Sequence, residues 1–361
     1  MKKEIAVGLL TILVLVGCGS DNNTVTNNLV QTNVFDKSST DIIFNKVKKF
    51  PKNVQVSIAK IKDGNVYYYG ALHGSNAVST VENYTNTFMI GSITKVFTST
   101  LLAQMVLSNK MALDENIGNK LSYTLNNNIS MSYRQLANHT SGLPREADID
   151  LDKDPKYNAF DQLDMTDVEK YLKYDLKLAH TQGTHLYSNL GVNILGYMMT
   201  YIENKPYETL LQERIFNKLG MKHSTTIRAN AQSRLIPAVG ASDIPFPLAY
   251  KSAGGIHSTV EDLYKFSLAS FGDEPEYLLT QEATLKVDDT ISIGLGWFIE
   301  RKTELNLNFY SHSGGTHGYR SIIVLDRENQ NGIIVLSNLP LEGNIGDIYN
   351  LGMELMEEMY K

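Results

Sequence analysis

Phe88-Met89-Ile90-Gly91-Ser92-Ile93-Thr94-Lys95-Val96-Phe97 opens an apolar run that reaches Leu107, and the reading of this chain turns on it. From Ile93 the residues Val96, Phe97, Leu101, Ala103, Met105 and Val106 recur densely with Lys95 as the only charge, so the spacing predicts a helix buried on nearly all sides. Positions three apart lie about one turn away on nearly the same face, which lets the Lys95 amine reach the Ser92 hydroxyl. A serine hydroxyl is a poor nucleophile until a base takes its proton, and an ordinary lysine is already protonated. Burial disfavours the ammonium and makes lysine part of a base. A serine at a helix N-terminus also meets free amides and the positive end of the dipole, which favour developing negative charge. Taken alone, the spacing equally describes a capped helix with a surface lysine.

Two later clusters supply partners. Tyr187-Ser188-Asn189 offers a phenol and a carboxamide. A tyrosine near ammonium groups has a lowered pKa and relays protons, while asparagine can bind a substrate amide and pin Lys95. The same residues would also serve as a tyrosine and a cap before a helix beginning at Leu190. Tyr310-Ser311-His312-Ser313-Gly314-Gly315-Thr316-His317-Gly318-Tyr319 reads as a glycine-rich strand edge on which substrate could lie against exposed backbone. Amides there, paired with that of Ser92, could form an oxyanion hole. The plainer alternative is a glycine-rich hairpin with two surface histidines.

The 361 residues, 42% hydrophobic and 20% charged, suit one large domain or two intimate ones. A net charge of -6 leaves no basic footprint, so nucleic acid is not an expected partner. Met1-Lys2-Lys3 precedes an apolar stretch from Ile5 to Val16, with Glu4 an odd neighbour for a basic start. That stretch is shorter than the roughly 20 residues needed to cross a bilayer and reads as an export signal over residues 1–17. With Cys18 as the sole cysteine, a domain cleaved there and modified on it has no thiol for disulfides, iron-sulfur clusters or nucleophilic catalysis. Residues 18–40, rich in Asn, Thr, Asp and Ser, read as a tether.

Ile43, Phe44, Val47 and Phe50 recur at helical spacing after a cap candidate, Asp41, which places the start of the folded body at residue 41. Val54, Val56 and Ile58 alternate, and Asp63-Gly64 separates them from Val66-Tyr67-Tyr68-Tyr69 as in a hairpin. Helical patterns dominate the middle, including Leu190 to Ile202. Strand signals return at Ile293 to Ile299, Leu307 to Ser311, Ser321 to Leu325 and Gly332 to Ser337, with Asn331-Gly332 as turn chemistry, and an amphipathic run follows from Ile345. The expected fold is α/β (α+β): an antiparallel sheet flanked by helices, built from residues 41–125 and 236–361, with an all-helical domain, 126–235, inserted.

Asp148, Asp150, Asp152 and Asp154 alternate like calcium ligands but lack the glycine and glutamate of such a loop. His180 with His185, and His312 with His317, lack the spacing or carboxylate company of a zinc site. No metal or cofactor is expected, and the absence of Gly-x-Ser-x-Gly removes the common α/β-hydrolase route to an esterase.

In order and context the three clusters resemble the class C β-lactamase and D,D-peptidase family of serine acyl enzymes, penicillin-binding proteins in the broad sense; Ser-x-x-Lys is a signature of that superfamily. Leu136 to Pro144, Tyr187 to Gly196, Leu219-Gly220-Met221, Ala253 to Thr259 and Trp297 are similar too, and the resemblance covers about Phe44 to Asn338. It implies Ser92 as nucleophile, Lys95 as its proton partner and Tyr187 as base and later acid. It also implies Asn189 as substrate and lysine contact, the amides of Ser92 and Gly315 as oxyanion hole, and His312, Ser313 and Gly314 as a substrate-binding motif. The β-lactamase form of that motif is Lys-Thr-Gly, whereas the peptidase and esterase branches often carry histidine. A neutral His312 gives no fixed charge for a carboxylate, so weak β-lactam turnover is expected, with carboxylate substrates favoured below about pH 6.5. Arg320 is a second candidate for that charge, beside its reading as a surface arginine. Leu15-Val16-Gly17-Cys18 resembles a bacterial lipobox, which implies a lipidated Cys18 and a protein anchored to an envelope membrane, facing the periplasm or exterior. The implied activity is D-alanyl-D-alanine carboxypeptidase-like or that of a related peptidase on small peptides. A β-lactamase, a carboxyl esterase or a non-catalytic peptide-binding module are the alternatives.

Overall fold

The computed structural model describes residues 25–147, 165–240, 251–340 and 346–361. Its strands, in chain order, are β1 (Thr26–Asn28), β2 (Gln55–Lys62), β3 (Asn65–His73), β4 (Ala77–Thr80), β5 (Phe88–Met89), β6 (His257–Ser258), β7 (Leu285–Lys286), β8 (Ile291–Ile293), β9 (Phe298–Lys302), β10 (Leu307–Gly315), β11 (Arg320–Asp326) and β12 (Asn331–Ser337). Strands β5 and β6 pair by themselves, and the other ten form one sheet in the order β1-β4-β3-β2-β12-β11-β10-β9-β8-β7. The β1–β4 edge is parallel, and the remaining pairs are antiparallel. The two ends of the chain meet at the centre, where Ile334 of β12 lies opposite Ala59 of β2.

Strand alternation sorts the central residues into two cores. Ala59, Ile61, Ile323, Leu325, Ile334 and Leu336 face one, with Val96, Phe97 and Leu101 of helix α2 (Thr94–Leu107). Val56, Ile58, Ile322, Val324, Ile333 and Val335 face the other, beneath helix α1 (Lys37–Val47) and the helix Gly346–Glu358. Covered on both faces, β11 and β12 consist of buried residues throughout. The described residues between 126 and 235 carry helices and no named strand. Their Leu136, Leu172, Ile194, Leu210 and Phe216 belong to the same core as Ala59 and Ile323, so the two regions share one core instead of holding one each.

Several sequence expectations need correction. Helix α1 begins at Lys37, capped by Asp36, whose side chain accepts from the Ser39 amide, and Asp41 lies within it. The stretch from 25 to 40 is not a tether. Thr26–Asn28 pairs with β4, the Val30 amide donates to Thr80 Oγ1 at 2.8 Å, and the Tyr69 hydroxyl donates to the Val30 carbonyl at 2.9 Å. Phe35, 1% exposed, stacks on Tyr69 with ring centroids 4.7 Å apart. A polar segment is thus ordered by backbone bonds to a sheet edge plus one buried ring, which its average composition conceals. Cys18 and the rest of residues 1–24 lie outside the described residues.

The strand expected over Ile293–Ile299 is two, broken between Ile293 and Phe298, where Gly296 takes φ 75°. Asn331-Gly332 is strand, not turn. The chain reverses just before it, at Gln330 with φ 52°, and the Asn331 side chain joins elements by accepting from the Asp63 amide and donating to the Tyr360 hydroxyl.

Because Phe35 is packed in the second core, Phe35→Ala should cost about 3–5 kcal/mol and lower the urea midpoint of the soluble domain. A tether residue would leave the midpoint unchanged.

Candidate active site

The site forms where the Ile90–Ser92 turn meets the end of β10. The Ile90 amide donates to the Ile256 carbonyl, Gly91 turns the chain at φ 53°, and a single 3₁₀ turn, Gly91–Ile93, leads into α2. A Cβ on Gly91 would stand 2.7 Å from the Gly315 nitrogen, and one on Gly314 would stand 2.0 Å from the Ile90 carbonyl oxygen. Only glycine allows backbones to approach so closely. Ser321 Oγ fastens the junction by donating to the Ile90 carbonyl at 2.7 Å.

Pairing between β10 and β9 ends at Ser311 and Phe298, whereas pairing with β11 continues to Gly315 and Arg320. The Thr316 amide donates to the Tyr319 carbonyl, so antiparallel alternation turns the backbone groups of Ser313 and Gly315 away from β11. They form an open strand edge beside Ser92, on a cleft of about 320 Å³ that is also lined by Tyr187, Phe298, His312, Arg145 and Arg320.

Within this cleft Ser92 Oγ accepts two hydrogen bonds, from Lys95 Nζ at 3.0 Å and from the Tyr187 hydroxyl at 2.7 Å. Lys95 is fully buried and also donates to the Ala253 carbonyl at 2.6 Å. Burial pushes its pKa well below the ordinary value; Glu146 opposes that shift and Arg145 reinforces it. The Tyr187 phenol is pushed up to about 12 by desolvation, against the pull of the Ser92 hydrogen bond and Arg145. This corrects the expectation of a lowered phenol pKa. Desolvation of the phenolate outweighs what the neighbouring cation supplies.

His312 is 2% exposed and its pKa falls to about 3, first through burial and then through Lys95, with its bond to the Ser313 carbonyl opposing. With the proton assigned to Nδ1, that nitrogen donates to the Ser313 carbonyl at 2.7 Å, and Nε2 has no hydrogen-bond partner. The ring therefore stays neutral at pH 5 to 8, and the expected gain of charge below about pH 6.5 does not occur. Asn189 starts the helix Asn189–Glu203, but its amide donates to Glu146, and the lysine it was expected to pin bonds Ser92 and Ala253 instead. Arg320 is not a surface residue. It is 2% exposed, with Nη1 donating to the carbonyls of Thr316 and Tyr319.

Three residues that sequence reasoning gave no role surround Tyr187. His139, buried and at φ 60°, lies with its ring centroid 4.5 Å from that of Tyr187. Its carbonyl accepts from the Leu186 amide and its Nδ1 from the Ser188 amide, which brackets Tyr187 on both sides. Arg145, exposed at the cleft mouth, places Cζ 5.0 Å from the Tyr187 ring centroid, and Glu146 holds Asn189. His139 stands inside a stretch singled out only by resemblance, and no spacing rule marked Arg145 or Glu146.

The Beta-lactamase family profile matches residues 44–350, and the chain belongs to that family. It is 26% identical over 280 residues to the D-alanyl-D-alanine-carboxypeptidase/endopeptidase AmpH of Escherichia coli strain K12, covering 70% of this chain and 71% of that one. It is also 26% identical over 280 residues to Beta-lactamase-like protein 2 of Dictyostelium discoideum, covering 71% of this chain but 50% of that protein. The chain thus spans about half the length of that relative. Among solved structures, a beta-lactamase/D-alanine carboxypeptidase from Yersinia pestis in complex with citrate superposes with a TM-score of 0.75 at 22% identity, covering 89% of this chain and 96% of that one. This likeness establishes the shared fold.

The perturbed groups set the pH dependence of stability. In the unfolded chain His312 takes up a proton near its ordinary 6.5, while in the fold it does so only near 3, so the unfolded state binds more protons between these values. Stability should therefore fall as pH drops from about 6.5 toward 3, with a shallower fall in His312→Gln. Lys95 acts with the same sign at higher pH: its pKa is lower folded than unfolded, so the unfolded state binds more protons between the two values and stability rises with pH up to the ordinary lysine value. Lys95→Met should raise the urea midpoint at neutral pH and flatten its upward trend.

Proposed function

We propose that this protein is a serine hydrolase that works through an acyl-enzyme on Ser92 and acts on D-alanyl-terminated peptides as a carboxypeptidase or related peptidase. The observation that carries the reading is the convergence on Ser92 Oγ of Lys95 Nζ, whose pKa burial lowers, and of the Tyr187 hydroxyl, beside an open glycine-rich edge.

The lowered pKa of Lys95 makes it the group that takes the Ser92 proton, becoming ammonium as Oγ bonds the acyl carbon. Charge on the acyl oxygen is met by the amides of Ser92 and Gly315. Tyr187, kept protonated, passes its proton to the leaving group as the scissile bond breaks and regains one from Lys95. Water then attacks the ester by the reverse route. An extended peptide fits the exposed Ser313–Gly315 edge by strand addition, and the exposed guanidinium of Arg145 faces the cleft as a contact for an anionic group. AmpH, by its name a carboxypeptidase and endopeptidase, agrees with this assignment. A carboxyl esterase is the second reading, favoured by the neutrality of His312, which makes no demand for a charged acyl donor. The lipobox-like Leu15 to Cys18 supports a lipid anchor on Cys18 and an envelope location.

Incubation with a fluorophosphonate and a fluorescent β-lactam should give one adduct per chain with each probe, none in Ser92→Ala, and acylation about 10²–10⁴-fold slower in Tyr187→Phe. Adducts with neither probe would overturn the hydrolase, while a fluorophosphonate adduct alone would favour the esterase. Metabolic labelling with a lipid probe should mark Cys18, and an unlabelled, soluble mature protein would defeat the anchor.

A further inference from the structure

Directly behind the glycine-rich edge stands a cation to which the proposed reaction gives no part. Arg320 pairs with Gly315 across β10 and β11, and its Nη1 lies 3.3 Å from where a Gly315 Cβ would be. Through that nitrogen it ties together the carbonyls of Thr316 and Tyr319, closing the hairpin that follows Gly315. Nη2 is buried without a hydrogen-bond partner, and among the described residues no carboxylate pairs with the guanidinium. Arginine keeps its proton in proteins, so this is a buried positive charge with no carboxylate partner among the described residues. Such a charge opposes folding, and fastening two carbonyls would need only a neutral donor.

We propose that Arg320 is a positioning residue of the oxyanion hole: it holds the hairpin so that the Gly315 amide faces Ser92, and it sets a fixed positive charge behind that amide. The inference rests on the Ser92 acyl-enzyme reading. A direct contact with substrate is disfavoured by burial, since Arg320 is 2% exposed and Nη2 has essentially no open surface, whereas Arg145 at the cleft mouth is exposed. Its effect therefore falls on the charge that develops at the acyl oxygen, whatever charge the leaving group carries. No bond to Arg320 forms or breaks.

The test uses the full soluble domain and two ester donors with one acyl group, one having a neutral leaving group and the other a carboxylate-bearing one. Arg320→Met should lower kcat for both by the same factor, about 10- to 100-fold, with KM little changed. It should weaken a boronic acid, which forms an anionic tetrahedral adduct on Ser92, by a similar factor. Arg320→Lys should recover part of the loss, and Arg320→Gln, which keeps a hydrogen-bond donor without charge, should not. Unchanged kcat in Arg320→Met, or equal rates in the Lys and Gln variants, would overturn the proposal. A loss confined to the carboxylate donor would do so too, by making Arg320 a direct substrate contact. If Arg320→Met fails to fold, the Lys and Gln pair decides alone. Failure of the underlying reading looks different: the wild-type protein then gives no Ser92 adduct with a fluorophosphonate.

Discussion

The approach of the Ile90–Gly91 backbone to Gly314–Gly315 is the contact on which the site depends. It joins the start of α2 to the open end of β10, two segments more than 200 residues apart in sequence, closely enough that a methyl group at either glycine would collide with backbone. That proximity brings a hydroxyl at a helix start and an amide at a strand end into one candidate site. The large sheet makes it possible by placing β12, from the end of the chain, against β2, from its beginning, with β11 and β10 following in order. Because the helical region shares the core of α2, Tyr187 approaches Ser92 from a wall of the same packed body, not across a separate domain boundary.

Burial supplies the chemistry that this contact makes possible. Desolvation disfavours the charged form of each group, lowering the pKa of Lys95 and His312 and raising that of Tyr187. Around Ser92 burial therefore works against charge on all three side chains. The cost is borne by the fold, since a lysine inside an apolar helix lowers stability wherever the unfolded chain would be protonated. The rest of α2, with Val96, Phe97, Leu101, Leu102 and Met105 all fully buried, offers enough apolar packing to carry such a residue.

How much of this could be read in the sequence depended on whether the signal was local. The α2 run, the Asp63-Gly64 reversal and the central strands carry their periodicity within a dozen residues, and each forms where its pattern placed it, save at its ends. The part of residues 18–40 that the structure describes was misread because Phe35 and the backbone bonds of Val30 are long-range devices invisible to composition. At the site, Ser92, Lys95 and Tyr187 were legible as residue types in order. The charge states of Tyr187 and His312 were not, because desolvation belongs to the assembled environment and nearest-neighbour reasoning supplied the wrong sign or range. Arg145, Glu146 and His139 act through tertiary neighbours alone, so no spacing could have selected them.

The positions of the remaining charges complete the electrostatic logic. Groups whose charge burial disfavours surround Ser92, and two guanidiniums border the cleft farther out, Arg145 exposed on the Tyr187 side and Arg320 buried behind Gly315. A cation touching Ser92 would stabilise the alkoxide before attack, lowering its nucleophilicity along with its pKa. Cations one layer away, acting through a fixed amide and an aromatic face, favour negative charge most where it arrives late, on the acyl oxygen of the tetrahedral state. In the proposed reaction, inner groups whose charge burial disfavours, with positive charge outside them, would favour the transition state over the ground state, an arrangement that follows from which side chains the glycine contact encloses and which it leaves just outside.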